Sequence, residues 1–182
     1  FCDKELTKMT EHGIVHAGVG RKFQNPSVYE DLTVFENLEL SFPRGRSVFG
    51  ALGFKRDAEV LKAIQETSEM DFLQDLLDTQ ATLLSHGQKQ WLEIGMLLIQ
   101  DPSLLMLDEP VAGMSVAERK KTAELLRTIT QDRSVIVIEH DMNFVADIAD
   151  RVTVMHQGKV LSEGSMDHVQ SDPKVIEVYL GH

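Results

Sequence analysis

The chain has 182 residues, 42% of them hydrophobic, with a single cysteine and a net charge of −11. That length suits one domain with its own core; the acidic balance argues against a nucleic-acid-binding face, and the lone Cys2 excludes an intrachain disulfide or a cysteine-built zinc site. Its longest apolar runs, such as 96–99 and 135–138, fall far short of the roughly 20 residues needed to span a bilayer, and the start turns charged at Asp3-Lys4-Glu5, unlike a secretory signal, so a cytoplasmic setting is expected.

Taken in order, residues 1–23 predict a short strand-like start, a polar helix or turn over 3–12, and a strand at Ile14-Val15-His16-Ala17 that ends in Gly18-Val19-Gly20. Gln24-Asn25-Pro26 reads as a loop. Thr33 and Glu36 form a capping-box pattern that opens a helix. The Gly-, Pro- and Arg-rich stretch 41–53, with Arg44-Gly45-Arg46, reads as a solvated and mobile loop. From Asp57 to about Leu77, Val60, Leu61, Ile64, Met70, Leu73 and Leu77 recur at helical spacing, which predicts one or two amphipathic helices.

Ser85 and Gln88 form a second capping box, ahead of a helix whose apolar stripe includes Trp91, Leu92, Ile94, Leu98 and Ile99 and which Asp101-Pro102 stops. The run Leu104-Leu105-Met106-Leu107 then meets Asp108-Glu109-Pro110. A continuous apolar run reads as a parallel strand covered on both faces, and ligands in open α/β sheets sit beyond the carboxyl ends of such strands. Two acids emerging there are a candidate metal and acid/base site, although a strand running into an acidic turn would look the same. A third capped helix (Ser115, Glu118) places Leu125, Leu126 and Ile129 inward, and Val135-Ile136-Val137-Ile138 is a second buried strand ending at Glu139-His140-Asp141. Strand, helix, strand in this order predicts a parallel βαβ unit and brings His140 toward Asp108 and Glu109. A helix from Met142, a hairpin turning at Gln157-Gly158, and a closing helix capped by Asp172-Pro173, with Val175, Ile176 and Tyr179 inward, complete the chain.

Gln24 in its loop, Leu84-Ser85-His86-Gly87-Gln88, Leu104 to Pro110 and His140 at a strand end resemble, in this order, the Q-loop, signature motif, Walker B strand with its glutamate, and switch histidine of the ATP-binding-cassette (ABC) ATPases. The resemblance covers essentially the whole chain. It implies an α/β fold: a P-loop NTPase core, with residues 1–23 and 104–182 as core and 24–103 as the Q-loop and helical signature region. It also implies ATP and Mg²⁺ as cofactors. Asp108 and Gln24 would reach Mg²⁺, Glu109 would orient the attacking water, and His140 would bond the γ-phosphate. Ser85, Gly87 and Gln88 would meet the phosphate held by an opposite subunit, since a capped helix N-terminus offers free N–H groups and a positive dipole end. Implied partners are a second ATP-binding subunit facing head to tail, integral-membrane permease subunits at the cytoplasmic face of the membrane, and indirectly a solute-binding protein; no nucleic acid is expected. The remaining histidines (His12, His16, His86, His156, His168, His182) have no ligand spacing.

Three departures from the family pattern stand out. His86 occupies a position where the signature usually has Gly, and Ser115 stands where the loop after the glutamate usually ends in Asp. No G-x-x-x-x-G-K-[ST] run occurs: Gly13 and Gly18 have the spacing, but Val19 and Gly20 follow. The expectation is a C-terminal part of a nucleotide-binding subunit that by itself neither binds ATP tightly nor hydrolyses it. Phe23-Gln24-Asn25-Pro26, the run 32–38, Ala112-Gly113-Met114 and the ending 172–181 are similar to bacterial importers of branched-chain amino acids, and the run 84–95 to their urea-importing branch. The competing reading is a cassette ATPase outside transport, acting on nucleic acid, ribosomes or cofactor assembly; a third is an interaction module with no ATPase role.

Overall fold

The computed structural model describes residues 1–24, 27–43 and 56–180. Asn25-Pro26, most of the 41–53 loop with its Arg44-Gly45-Arg46 cluster, and the last two residues lie outside the described residues. Contacts divide the chain into two units, Phe1–Ile138 and Glu139–His182, each described by itself.

In the first unit the described strands form a parallel sheet in the order β1 (Val19–Lys22), β2 (Leu104–Asp108), β3 (Ser134–Ile138). Val19 pairs with Leu104 and Leu104 with Ser134, so all three carboxyl ends lie on one side. Leu104, Leu105 and Leu107 of the central strand are buried, as the apolar run requires, and each such leucine contributes roughly 2 kcal/mol of transfer free energy. β3 departs from expectation. Ile136 and Ile138 are 48% and 55% exposed: alternate side chains of a strand point to opposite faces, and the face of β3 that carries these two is left open among the described residues.

The start of the chain also differs from its reading. Among the described residues no strand comes before β1; a 3-10 turn (Leu6–Lys8) is followed by helix α1 (Glu11–His16), and the predicted strand at 14–17 is the end of that helix. Thr10 decides this: its side chain accepts from the Gly13 N–H, an N-cap that outweighs the β-branched pair Ile14-Val15.

All three capping boxes form. Thr33 with Glu36 opens α2 (Val34–Ser41), Ser85 with Gln88 opens α4 (His86–Leu98), and Ser115 with Glu118 opens α5 (Val116–Ile129), which links β2 to β3. Asp57 caps α3 (Ala58–Met70), which continues into a 3-10 turn (Gln74–Leu76). Helices α2, α3 and α4 pack on one another around Val34, Leu38, Val60, Ile64 and Leu92, all at most 1% exposed. Leu61, read as part of the apolar stripe, instead faces solvent. Trp91 joins α4 to α5: its indole N–H donates to the Thr122 hydroxyl at 2.9 Å, and its ring meets Phe72 edge-on.

The second unit holds α6 (Met142–Ile148), the antiparallel hairpin of β4 (Val152–His156) and β5 (Lys159–Gly164), α7 (Met166–Ser171), and α8 (Pro173–Val175) running into a π-helical turn (Ile176–Leu180). Gln157 and Gly158 both have positive φ, 48° and 75°, the two-residue turn that matches strand twist. Val169 and Val175 are buried. Ile176 and Tyr179, expected inward, are 43% and 54% exposed; Tyr179 instead donates its hydroxyl to the Met155 carbonyl, which needs only the tip of the ring to reach β4.

Candidate functional site

The carboxyl ends of β1 and β2 are neighbours because Lys22 pairs with Leu107. The chain leaving β1 therefore passes Glu109, and Gln24 Nε2 donates to Glu109 Oε2 at 2.6 Å. Asp108 ends β2, paired with Ile138. Glu109 follows in the left-handed region (φ 44°), a conformation that costs a non-glycine residue about 1 kcal/mol or more. It is held there by two backbone bonds: its N–H donates to the Ile138 carbonyl at 2.9 Å, and its carbonyl accepts from the Ala112 N–H at 3.2 Å.

A buried polar stripe on α4 supports this corner. His86, Gln90 and Glu93 recur at i, i+4 and i+7, and Gln90 and Glu93 are buried. Glu93 Oε1 accepts from the Ser27 N–H at 3.2 Å, while its Oε2 makes only an ion contact with Lys22 Nζ at 3.5 Å. Lys22, fully buried, donates from Nζ to the Phe23 carbonyl at 2.8 Å. Burial pushes the Glu93 carboxyl up, with Lys22 opposing that rise. Both ends of the loop carrying Gln24 are thus tied to one buried ion pair.

At the N-terminus of α4, Ser85 accepts from the Gln88 N–H at 3.2 Å and Gln88 Oε1 accepts from the Ser85 N–H at 2.8 Å. Gly87 is buried against Glu118: a Cβ there would lie 2.4 Å from Glu118 Oε1. That carboxylate takes the Ser115 hydroxyl and N–H at 2.7 and 2.8 Å and the Ser85 hydroxyl at 3.3 Å, and the Ser115 bonds hold its pKa below the usual range. A carboxylate of the chain itself therefore sits at the positive end of α4. His86 turns away from this cluster, its Nε2 lying 3.0 Å from the Ala112 carbonyl.

Gln24 and Glu109 thus meet at the carboxyl end of the sheet, with Asp108 one residue before Glu109 at the end of β2, and Ser85, Gly87 and Gln88 lie together at the head of α4. His140 follows Ile138 by two positions and belongs to the second unit, where its N–H donates to Glu139 Oε2 at 3.1 Å. Lys22, Gln90 and Glu93 escaped sequence reasoning, and Glu118, legible as a helix cap, gave no sign of its approach to Ser85 and Gly87. The i, i+4, i+7 spacing of His86, Gln90 and Glu93 was a readable signal, but it was masked by the apolar stripe on the same helix.

Among the described residues no three acidic, histidine or cysteine side chains converge on one point. Asp108, at the carboxyl end of β2, offers the hard oxygen type that Mg²⁺ takes.

Comparison with known proteins bears on the family and the fold. The family model described as ABC transporter matches residues 1–112, and that of the branched-chain amino acid ATP-binding cassette transporter matches 159–182. The chain is 32% identical to the high-affinity branched-chain amino acid transport ATP-binding protein LivG of Escherichia coli (strain K12), over 98% of this chain and 74% of that protein. It is 32% identical to BraF of Pseudomonas aeruginosa, a protein of the same description, over 98% of this chain and 73% of that one. A solved ATP-binding cassette of an ABC transporter superposes with a TM-score of 0.83 at 29% identity, covering 100% of this chain and 76% of the other; the ADP conformation of such a cassette gives 0.80 at 32% identity, with the same coverage. The chain spans about three quarters of the length of these relatives. With its α/β cassette fold, it belongs to the ATP-binding proteins of ABC transporters, in the branch of the branched-chain amino acid transport proteins.

Proposed function

We propose that these residues form the Mg²⁺-, water- and signature-bearing part of an ATP-hydrolysing subunit that energises a bacterial importer of urea or branched-chain amino acids. The observation that carries this reading is the 2.6 Å bond between Gln24 and Glu109, which joins the loop after β1 to the acid after β2. ATP hydrolysis needs an in-line water oriented and the spreading negative charge neutralised, and the protein supplies mainly placement and electrostatics. Asp108 and Gln24 would hold Mg²⁺, which would supply positive charge beside the phosphates. Glu109 orients the attacking water and accepts its proton, while Gln24 fixes the Glu109 carboxylate. His140 donates to the γ-phosphate. Ser85, Gly87 and Gln88 present the head of α4 to a nucleotide held by a second subunit.

Residues 1–23 and 104–182 act in this reading as ATPase core, and 24–103 as the Q-loop and signature region that faces membrane permease subunits at the cytoplasmic side of the membrane, with a solute-binding protein as an indirect partner. The 182 residues contain no G-x-x-x-x-G-K-[ST] run, so by themselves they bind ATP weakly and do not turn it over. Urea as cargo rests on the likeness of the run 84–95.

The test is steady-state hydrolysis and solute uptake, measured on the polypeptide as the cell makes it together with its co-purifying partners. Glu109→Gln should lower turnover at least about 100-fold while nucleotide still binds. Uptake of urea rather than leucine should depend on that glutamate. Co-purification with RNA or ribosomes instead of a permease would favour the non-transport reading, and micromolar ATP affinity of the 182 residues alone would overturn the weak-binding expectation.

A further inference from the structure

His86 stands where the signature pattern usually has glycine, and its ring has a definite partner. Nε2 lies 3.0 Å from the carbonyl oxygen of Ala112, in the loop between Glu109 and α5. A carbonyl repels a ring lone pair, so this contact selects the tautomer with hydrogen on Nε2, and that hydrogen is donated to Ala112. The loop is shaped to receive the ring: Gly113 has φ 71°, and a Cβ on it would lie 3.3 Å from His86 Cδ2. Ala112 is bonded at both faces, since its N–H donates to the carbonyl of Glu109 at 3.2 Å. The head of α4 is therefore one residue removed from the backbone of Glu109, which sits in the left-handed region and needs such support.

The next turn of α4 reaches the other side of the same acid. Gln90 Nε2 makes a long, 3.5 Å bond to the carbonyl of Gln24, whose amide donates to Glu109 Oε2; it also lies 3.3 Å from His86 Nε2, a contact and not a hydrogen bond when that nitrogen gives its hydrogen to Ala112. Glu109 is thus approached through its backbone by way of His86 and Ala112, and through its carboxylate by way of Gln90 and Gln24, both paths starting from adjacent turns of one helix.

We propose that His86 is a positioning residue for Glu109: it clamps the Ala112 carbonyl to the head of α4, so that the placement of the signature helix sets the aim of the carboxylate. The proposal rests on the ATPase reading for its kinetic consequence and on the hydrogen-bond geometry alone for its structural one. A misplacement of a catalytic group by about 1 Å costs up to 100-fold in rate, so loss of one tether should cost on the order of 10-fold.

The experiment compares wild type with His86→Ala and His86→Gln in the polypeptide as the cell makes it. The glutamine amide can donate to the same carbonyl. His86→Ala should lower kcat about 10-fold with KM for ATP changed less than about 2-fold, the signature of a group that acts in the transition state only, and His86→Gln should recover most of kcat. A loss confined to KM, an unchanged kcat, or a glutamine variant as impaired as the alanine variant overturns the proposal. Proton–nitrogen NMR gives the reading that does not depend on turnover. The His86 ring should carry its hydrogen on Nε2, and the Glu109 backbone amide and Gln24 side-chain amide signals should move in His86→Ala and return toward wild type in His86→Gln. Signals that stay in place in the alanine variant overturn the clamp. If the wild type shows no hydrolysis, the ATPase reading falls and these spectra alone decide the clamp.

Discussion

Helix α4 buries an acid on each of two sides, and the two are treated differently. Glu93 faces β1 and the loop after it, with Lys22 at 3.5 Å and the Ser27 N–H at 3.2 Å. Asp71, at the end of α3, lies against Gly95 of α4 fully buried, and neither of its carboxylate oxygens has a hydrogen-bond partner among the described residues. A buried charge is tolerated when it is paired and bonded; an unpaired one gives up its proton only at high cost. The polar side of α4 is therefore organised around the loop that aims Gln24, whereas the other side carries an acid with no evident task. Removing one member of the paired site should have the largest effect. Glu93→Ala takes away the carboxylate that faces buried Lys22 and the acceptor that holds Ser27, with an expected cost of about 3–5 kcal/mol in urea unfolding. Lys22→Met combined with Glu93→Leu should cost clearly less than the sum of the two single changes, because an apolar pair leaves no buried charge. Additive losses would show that the two groups do not act as a pair.

The unpaired side is limited by space. A Cβ at Gly95 would lie 2.1 Å from Asp71 Oδ2 and 3.3 Å from Leu38 Cδ2. Gly95→Ala gains roughly 1 kcal/mol of helix propensity, but it forces the carboxyl out of a packed site, and overpacking of this kind costs about 1–3 kcal/mol. The net change should be destabilising by about 1–2 kcal/mol. Adding Asp71→Ala should relieve most of it, and a thermal melt of the four proteins in the cycle measures that coupling directly.

Much of this contrast could be read from the sequence in part only. The capping boxes at Thr33, Ser85 and Ser115 were legible because a hydroxyl and an acid or amide three residues apart satisfy each other's orphan donors locally. The βαβ order of β2, α5 and β3 and the acids at the end of β2 followed from periodicity and chain order. Glu109 at positive φ, the bond from Gln24, and the meeting of Gly87 with Glu118 did not, because each joins residues whose approach depends on how separate elements pack. Local signals misled where a cap competed with β-branched residues, at Thr10 to Ala17, and where a strand at the edge of the described sheet looked apolar throughout, at Ser134 to Ile138. Asp71 was invisible for a different reason: an acid at the end of an amphipathic helix reads as a solvated cap, and only the packing of Gly95 reveals that it is buried.

That burial makes Asp71 the source of a pH dependence whose sign can be worked out. Burial pushes its carboxyl well above the usual range, and the Leu73 N–H, which would pull it back, is given to the Ser68 carbonyl at 2.8 Å. The folded chain therefore holds this proton more tightly than the unfolded chain, whose aspartate titrates near 3.9. Stability from this group is fully present below about pH 4 and falls as pH rises toward the folded-state pKa. Asp71→Asn removes the titration and keeps the shape. The variant should match or fall slightly below wild type near pH 4 and gain on it steadily as pH rises toward the folded-state pKa, by up to about 1.4 kcal/mol per pH unit. Glu93, also raised by burial, tilts wild type and variant alike and cancels in the difference between them. A difference that is flat between pH 5 and pH 8 would mean that Asp71 is solvated in solution, and the contrast between the two sides of α4 would then reduce to the single ion pair at Glu93.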